Sequence, residues 1–230
     1  MALVEYPPFR PENLFRTLEA KVPQKFLRDI KNRVLFGPDA PLSDEPLYVR
    51  PRDITLRYVT ASSTGAPLFR RRHSGLVKGG DWDLSVEPMR HGPKYRACHA
   101  RWIEGKNWEE TGIYDLHLDR IARKGVSDEC RTLEDIKARY ERLDHLFEQV
   151  RREGRLRAIS QIDSYFRREH GGVFVHIDRH GRPLRYGGGE HRFAIAHILN
   201  LPEMPVQPGV IHLEAVRGRH LERLRRSVHG

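Results

Sequence analysis

The stretch VFVHIDRHGRPLRYGGGEHRFAIAHILN, residues 173–200, decides the fold because two strand signals, a turn, a glycine run and a helix signal follow one another in it. Residues 172–178 predict a strand, and residues 178–181 predict a hairpin turn in which Gly181 takes a positive φ. RPLRY, residues 182–186, predicts the returning strand. A helix that ends at the next stop signal, Asn200, should follow.

A glycine run stands directly before a charged triplet at the start of this helix. The first N–H groups of a helix have no intrahelical partners and lie at the positive end of its dipole, and glycines let an anion approach them. A guanidinium fork suits phosphate oxygens, and an imidazole adds a donor or a proton shuttle. The alternative is a tight connection without a ligand. The sequence therefore predicts a phosphate site formed by Gly188, Gly189, Glu190, His191 and Arg192.

With the downstream LPEMPVQ and the upstream LDHLFEQVRREGRLRAI, these elements resemble the ParB/sulfiredoxin superfamily over roughly residues 143–210. The shared signature is strand, hairpin, "GxHR" or "GERR", helix and a terminal "PV". The resemblance implies an α+β fold, a ParB/sulfiredoxin-like small mixed sheet with packed helices, here with an N-terminal helical elaboration. It also implies that the chain binds ATP or another nucleotide together with Mg²⁺.

Departures from the branches of that superfamily indicate which activity to expect. Sulfiredoxins need a cysteine where this chain has Glu190, which argues against sulfinic-acid repair. Chromosome-partitioning members carry "GERR" and a helix-turn-helix domain, whereas here His191 replaces the first arginine and about 20 residues follow residue 210. The branch that resembles free-serine kinases fits best. It implies a Mg-ATP-dependent phosphotransferase that acts on a small hydroxyl substrate.

Glu190 is the first candidate for chemistry. Its carboxylate could act as a general base towards the acceptor hydroxyl, or hold Mg²⁺ that bridges the phosphates. The alternative is a helix N-terminal carboxylate stabilised by the helix dipole, worth about 0.3–1 kcal/mol.

VKGGDWD, residues 77–83, is the second candidate. Lys78 can neutralise phosphate charge, and the two glycines permit close backbone approach. Asp81 and Asp83 would point the same way from an extended segment, and paired carboxylates suit Mg²⁺ or proton abstraction. The alternative is a turn with a buried Trp82 and solvated acids.

Two other groups are weaker candidates. His176 and Asp178 share one face of their strand and could line the cleft. The arginines 70–72 could follow a polyanion, although a charge run is more often a solvated face. They support a second hypothesis, a ParB-like DNA-binding protein or a nuclease. A third hypothesis is a nucleotide sensor without catalysis.

The composition indicates where the protein is located more clearly than what it does. The chain has 230 residues, a formal net charge of +10 and 38% hydrophobic residues, so a folded core with a phosphate-attracting surface is expected. Its two cysteines form no CxxC pair. The N-terminus lacks a signal-peptide core, and no apolar run reaches the ~18 residues of a membrane span. We therefore expect a cytoplasmic protein without a membrane partner.

Three consecutive segments organise the chain. Residues 1–45 predict an extension with two short helices separated at Pro23. Residues 46–130 predict a strand and helix elaboration, and residues 131–230 the nucleotide-binding core with a basic C-terminal tail. The clearest helix starts in the capping pattern at Thr132 and should end at Gly154.

Overall fold

The computed structural model describes residues 21–60, 65–162 and 168–229. The protein is mixed α+β, as expected, and its sheet is mixed and open. The chain divides into two compact units. The first comprises Met1–Met89, Arg157–Gly189 and Pro202–Gly230, and the second comprises Arg90–Leu156 and Glu190–Leu201. The units interleave along the chain, whereas the sequence interpretation divided it into three consecutive segments.

The helices and strands are numbered here in chain order. The helices are α1 Val22–Phe36, α2 Pro93–Trp102, α3 Ile113–Lys124, α4 Leu133–Glu153, α5 Ile159–Ile162, α6 Glu190–Ile198, α7 Leu213–Arg217 and α8 His220–Arg225. The strands are β1 Leu47–Val49, β2 Leu56–Tyr58, β3 Leu76–Lys78, β4 Val86–Pro88, β5 Val173–Ile177, β6 Pro183–Arg185 and β7 Met204–His212.

All the strands belong to one sheet in the first unit. Its order is β1-β7-β5-β6-β2-β4, and β3 also pairs with β7. Strand β7 runs parallel to β5 and β3 and antiparallel to β1. Every residue of β7 and of β5 is buried, as expected for strands covered on both faces. The sequence did not indicate β3, because three residues are too few to show alternation.

The hairpin between β5 and β6 confirms the prediction from the opening stretch. The two strands are antiparallel, and Gly181 has a φ of 75°. The Asp178 side chain accepts hydrogen bonds from the N–H groups of His180 and Arg182 at 2.9 and 2.8 Å. Asp178 thus fixes the turn that reverses the chain towards β6.

Helix α1 has an unusual distribution of polarity. Pro23 lies in its first turn and so begins the helix, and the first of the two expected helices falls outside the described residues. The buried Asn32 side chain donates to the carbonyls of Pro41 and Gly75, each at 2.8 Å. In contrast, its large apolar side chains are exposed, namely Phe26, Leu27, Ile30, Val34 and Leu35. This helix is held in place by polar contacts.

The second unit contains four helices, α2, α3, α4 and α6. Helix α4 confirms its capping prediction, since Thr132 and Asp135 exchange hydrogen bonds of 3.0 and 3.1 Å and Gly154 follows with a φ of 66°. Its apolar face is buried, and it consists of Ile136, Tyr140, Leu143, Phe147 and Val150. Helix α3 begins directly after Gly112. No helix among the described residues is long and apolar enough to cross a membrane.

Candidate functional site

The glycine turn, Gly187–Gly189, follows β6 and ends a segment of the first unit. Gly187 and Gly189 have φ values of 68° and 81°, which residues other than glycine rarely adopt. A Cβ on Gly189 would lie 2.6–2.8 Å from backbone atoms of Gly172 and Val173. Position 189 therefore needs glycine twice over, for its dihedral angle and for its close approach to β5. Gly187 and Gly188 are exposed.

Arg71 lies beside this turn, which the sequence did not reveal. Its guanidinium occupies the space next to Gly188 where a side chain would project. Nη2 donates to the carbonyl of Gly172 at 2.9 Å, Nη1 donates to Gln207 Oε1, and the group lies 5.3 Å from the centre of the Phe174 ring. Burial lowers the pKa of Arg71, but an arginine stays charged at neutral pH. A fixed cation thus accompanies exposed glycine backbone.

Arg71 is positioned by a cluster of polar side chains that begins with Gln207 and continues through Asp44 to Lys25. The Gln207 amide that receives Arg71 also donates to Asp44 Oδ1 at 2.6 Å. Lys25 Nζ lies 2.6 Å from Asp44 Oδ2, and His170 Nδ1 lies 3.5 Å from the same oxygen. Burial would raise the pKa of Asp44, but the His170 hydrogen bond and the Lys25 charge lower it to about 2. Asp44 is therefore ionised at neutral pH.

Helix α6 begins at Glu190, as the sequence predicted, and belongs to the second unit. Phe193 and the three residues after it are buried and anchor the helix. The Glu190 carboxylate lies against Gly92, where a Cβ would collide with it. Gly92 immediately precedes α2, so Glu190 lies where a helix dipole favours negative charge. This placement suits the structural alternative, and the base or Mg²⁺ role of Glu190 stays a prediction.

His191 belongs to a chain of polar groups inside the second unit. Its Nε2 lies 3.3 Å from the Tyr140 hydroxyl, which lies 3.0 Å from His117 Nε2, and His117 Nδ1 lies 2.8 Å from Ser127 Oγ. Burial lowers the pKa of His191 to about 3. His191 is therefore neutral at physiological pH and brings no charge to a phosphate. Arg192 follows, half-buried, in the first turn of α6. The roles predicted for both residues stay predictions.

The acidic loop, Gly79–Asp83, is the second predicted region, and its carboxylates have a cationic partner. Arg179 lies 2.7 Å from Asp83 Oδ1 and 2.8 Å from Asp81 Oδ1. Burial would raise the pKa of Asp83, but the Arg179 hydrogen bonds lower it. Trp82 is buried in the core, and Lys78 is exposed at the end of β3. Such a paired Asp83 is a weak base, so Glu190 is the better candidate.

Mg²⁺ was predicted at Glu190 and Asp81. In residues 21–60, 65–162 and 168–229, no group of three or more His, Cys, Asp or Glu could hold a metal ion. Mg²⁺ that is bound through nucleotide phosphates needs only one or two protein carboxylates. Glu190 can supply one, whereas Asp81 is already paired with Arg179. The magnesium ion stays a prediction.

His176 and Asp178 contribute to the structure of the hairpin and the core. His176 is fully buried, its Nδ1 accepts from the Val210 N–H at 2.9 Å, and burial lowers its pKa to about 3. Five aromatic rings surround it, from Tyr58, Phe69, Trp82, Phe174 and Tyr186. Asp178 is buried in the turn described above. Both side chains are thus shielded from solvent.

Comparison of the chain with protein-family models, curated proteins and solved structures finds no match.

Proposed function

We propose that the glycine turn binds the phosphates of a nucleotide. The observation that supports this most directly is the fixed guanidinium of Arg71 beside an exposed turn with two positive-φ glycines. Such turns present backbone N–H groups to anions. The next residue in the chain begins α6, whose first N–H groups have no intrahelical acceptor. The ParB/sulfiredoxin resemblance of the same residues supports the same ligand class.

The proposed reaction is transfer of the γ-phosphoryl group from Mg-ATP to a small hydroxyl compound. The acceptor oxygen attacks the γ-phosphorus, its proton passes to a carboxylate, and ADP leaves. Arg71 would neutralise phosphate charge at the glycine turn. The role predicted for Glu190 is that of base or Mg²⁺ ligand, and the role predicted for Arg192 is to bind phosphate oxygens. Bound Mg²⁺ would neutralise the developing charge on the phosphates. Phosphoryl transfer depends mainly on positioning and charge neutralisation, which these groups can supply.

A thermal-shift titration with ATP, ADP and CTP, with and without Mg²⁺, tests the binding step. A ligand present at about 100 times its dissociation constant adds about 2.7 kcal/mol to the free energy of unfolding. Gly188→Ala should abolish the shift, because the new methyl group competes with Arg71 for space. Gly79→Ala is the matched control, since its Cβ would meet only Leu213 at 3.7–3.8 Å.

The outcomes separate the competing functions. Loss of the shift in Gly79→Ala but not in Gly188→Ala would move the phosphate site to the acidic loop. No shift with any nucleotide contradicts the proposal. If nucleotide binds without turnover, and Glu190→Gln binds and functions as the wild type does, the sensor hypothesis replaces the phosphotransferase. Arg192→Ala, measured in parallel, tests the predicted role of that guanidinium.

A further inference from the structure

A large groove opens in the first unit, and none of its lining residues belongs to the glycine turn. Its volume is about 1150 Å³, and Gly181 and Pro183, at the start of β6, form part of its wall. The glycine turn follows the other end of β6, after Arg185. The groove exceeds the ~300–1,000 Å³ that is usual for small-molecule pockets. It is therefore separate from the proposed nucleotide site and large enough for a polymer.

The groove is lined by arginines. Two of them are paired within the protein, Arg182 with Asp178 and Arg219 with Glu222. Four others make no side-chain hydrogen bond or ion pair with any residue that the structure describes, and they are Arg50, Arg52, Arg223 and Arg226. All four are exposed. Four guanidinium groups thus face solvent along one surface with their donors free.

The acidic residues of the groove leave this charge largely uncompensated. Glu203 accepts hydrogen bonds from the N–H of Val228 and the hydroxyl of Ser227. Glu222 is occupied by Arg219. Only Asp53 remains as an acidic lining residue near the four free arginines. The surface therefore suits a ligand with several negative charges.

We propose that this groove binds single-stranded nucleic acid. Arginines that follow a groove can contact successive phosphates, and an aromatic side chain can stack on a base only where that base is unpaired. Tyr48 supplies this aromatic side chain, because it lines the groove and is half-buried. The basic C-terminal segment thereby gains a role, since Arg223 and Arg226 lie in it. Bases stack on Tyr48 while the backbone lies against the guanidinium groups.

Fluorescence anisotropy with labelled oligothymidylate and oligouridylate of about 20 nucleotides tests the proposal, because a single-strand site spans ~4–16 nucleotides. The wild type should bind both, with an affinity that falls steeply as salt rises. The Arg50→Gln/Arg223→Gln variant should raise Kd roughly tenfold or more at ~0.1 M salt and lower the log–log salt slope by about 1.4. Tyr48→Leu should weaken binding without changing that slope.

The matched control is Arg142→Gln/Arg152→Gln, two exposed positions on α4 with the same change in charge. It should bind as the wild type does, and so should Gly188→Ala. Melting temperatures establish that all variants are folded. Equal losses in the groove and control variants, no binding at low salt, or binding of heparin but not of oligonucleotides would each overturn the proposal. Tighter binding of duplex than of single strands would also overturn it.

Discussion

Two glycine-rich segments of the first unit look alike in sequence and differ in how their nearest arginine is used. The glycine turn and the acidic loop each follow a short strand, and Gly189 and Gly80 have nearly the same φ, 81° and 84°. Beside the glycine turn, Arg71 donates to neutral oxygens of Gly172 and Gln207. Beside the acidic loop, Arg179 binds carboxylates. Arg71 forms no ion pair with a carboxylate of the residues that the structure describes, so it is the cation better prepared for an external anion.

The largest expected difference between the two segments is in their tolerance of a methyl group. Gly189→Ala should lower the free energy of unfolding by about 4 kcal/mol, from ~1–2 for the positive φ and ~2–3 for the overlap with β5. At Gly80 no heavy atom of the described residues lies within 4 Å of a new Cβ. Gly80→Ala should therefore cost only about 1–2 kcal/mol. Urea unfolding of both variants measures this, and equal losses would contradict the packing argument.

The second largest expected effect concerns the two ion pairs of the acidic loop, which should contribute unequally to the free energy of unfolding. The Asp83 side chain is 2% exposed and the Asp81 side chain is 79% exposed, although both bind Arg179. Asp83→Asn breaks a buried pair and should cost about 3 kcal/mol. Asp81→Asn should change the unfolding midpoint little, because exposed pairs contribute little. The comparison fails if Asp81→Asn proves the more destabilising change.

His176 packs against Tyr186, which precedes the glycine turn, and against Trp82 of the acidic loop. Its burial makes the free energy of unfolding depend on pH. Its ring stacks on Tyr186 at 5.1 Å and meets the edge of Trp82 at 5.9 Å. Its folded-state pKa of about 3 lies below the unfolded value, so the unfolded chain binds more protons. Its stabilising contribution is complete above pH ~6.5 and is lost as pH falls towards 3, by about 2 kcal/mol at pH 5.

The matching variant is His176→Asn, whose side-chain oxygen can still accept from the Val210 N–H. It should be less stable than the wild type at pH 7.5, and the gap should narrow by about 2 kcal/mol at pH 5. Denaturant melts at the two pH values measure the gap. A constant gap would mean that another group, such as His191, carries the dependence.

The smallest expected effect on stability is that of Glu190→Gln. A carboxylate at a helix N-terminus contributes about 0.3–1 kcal/mol, so the variant should lose no more than this. A larger loss in thermal or urea unfolding would make Glu190 chiefly a structural residue. A small loss together with abolished phosphate transfer would support its proposed role in chemistry.

The sequence predicted the elements with strong local signals. The hairpin at Gly181, the capping residues Thr132 and Asp135 of α4, and the start of α6 at Glu190 were all visible, because turns and caps depend on neighbouring residues. Strand β3 was missed because its pairing with β7 joins distant parts of the chain. A strand of three residues is too short to show the alternation of apolar and polar residues that identifies longer strands.

The site was less predictable than the fold. The glycine turn was recognised, but Arg71, Gln207 and Asp44 reach it from distant segments, and only the sheet brings them together. In the same way, nothing in the acidic loop itself indicated that Arg179 would pair with its carboxylates. Helix α1 shows the limit for burial as well, since Lys25 is buried while Val34 is 80% exposed.

The position of β7 in the chain affects how the protein can be made. This strand pairs with β1, β3 and β5, yet it begins only at Met204. During translation, β1 and β3 therefore emerge long before β7. Until β7 is synthesised, the backbone groups of β1 and β3 that pair with it lack their partners. Such late, long-range closure slows folding and exposes edges to aggregation. Chaperone dependence during synthesis is the expected physiological consequence.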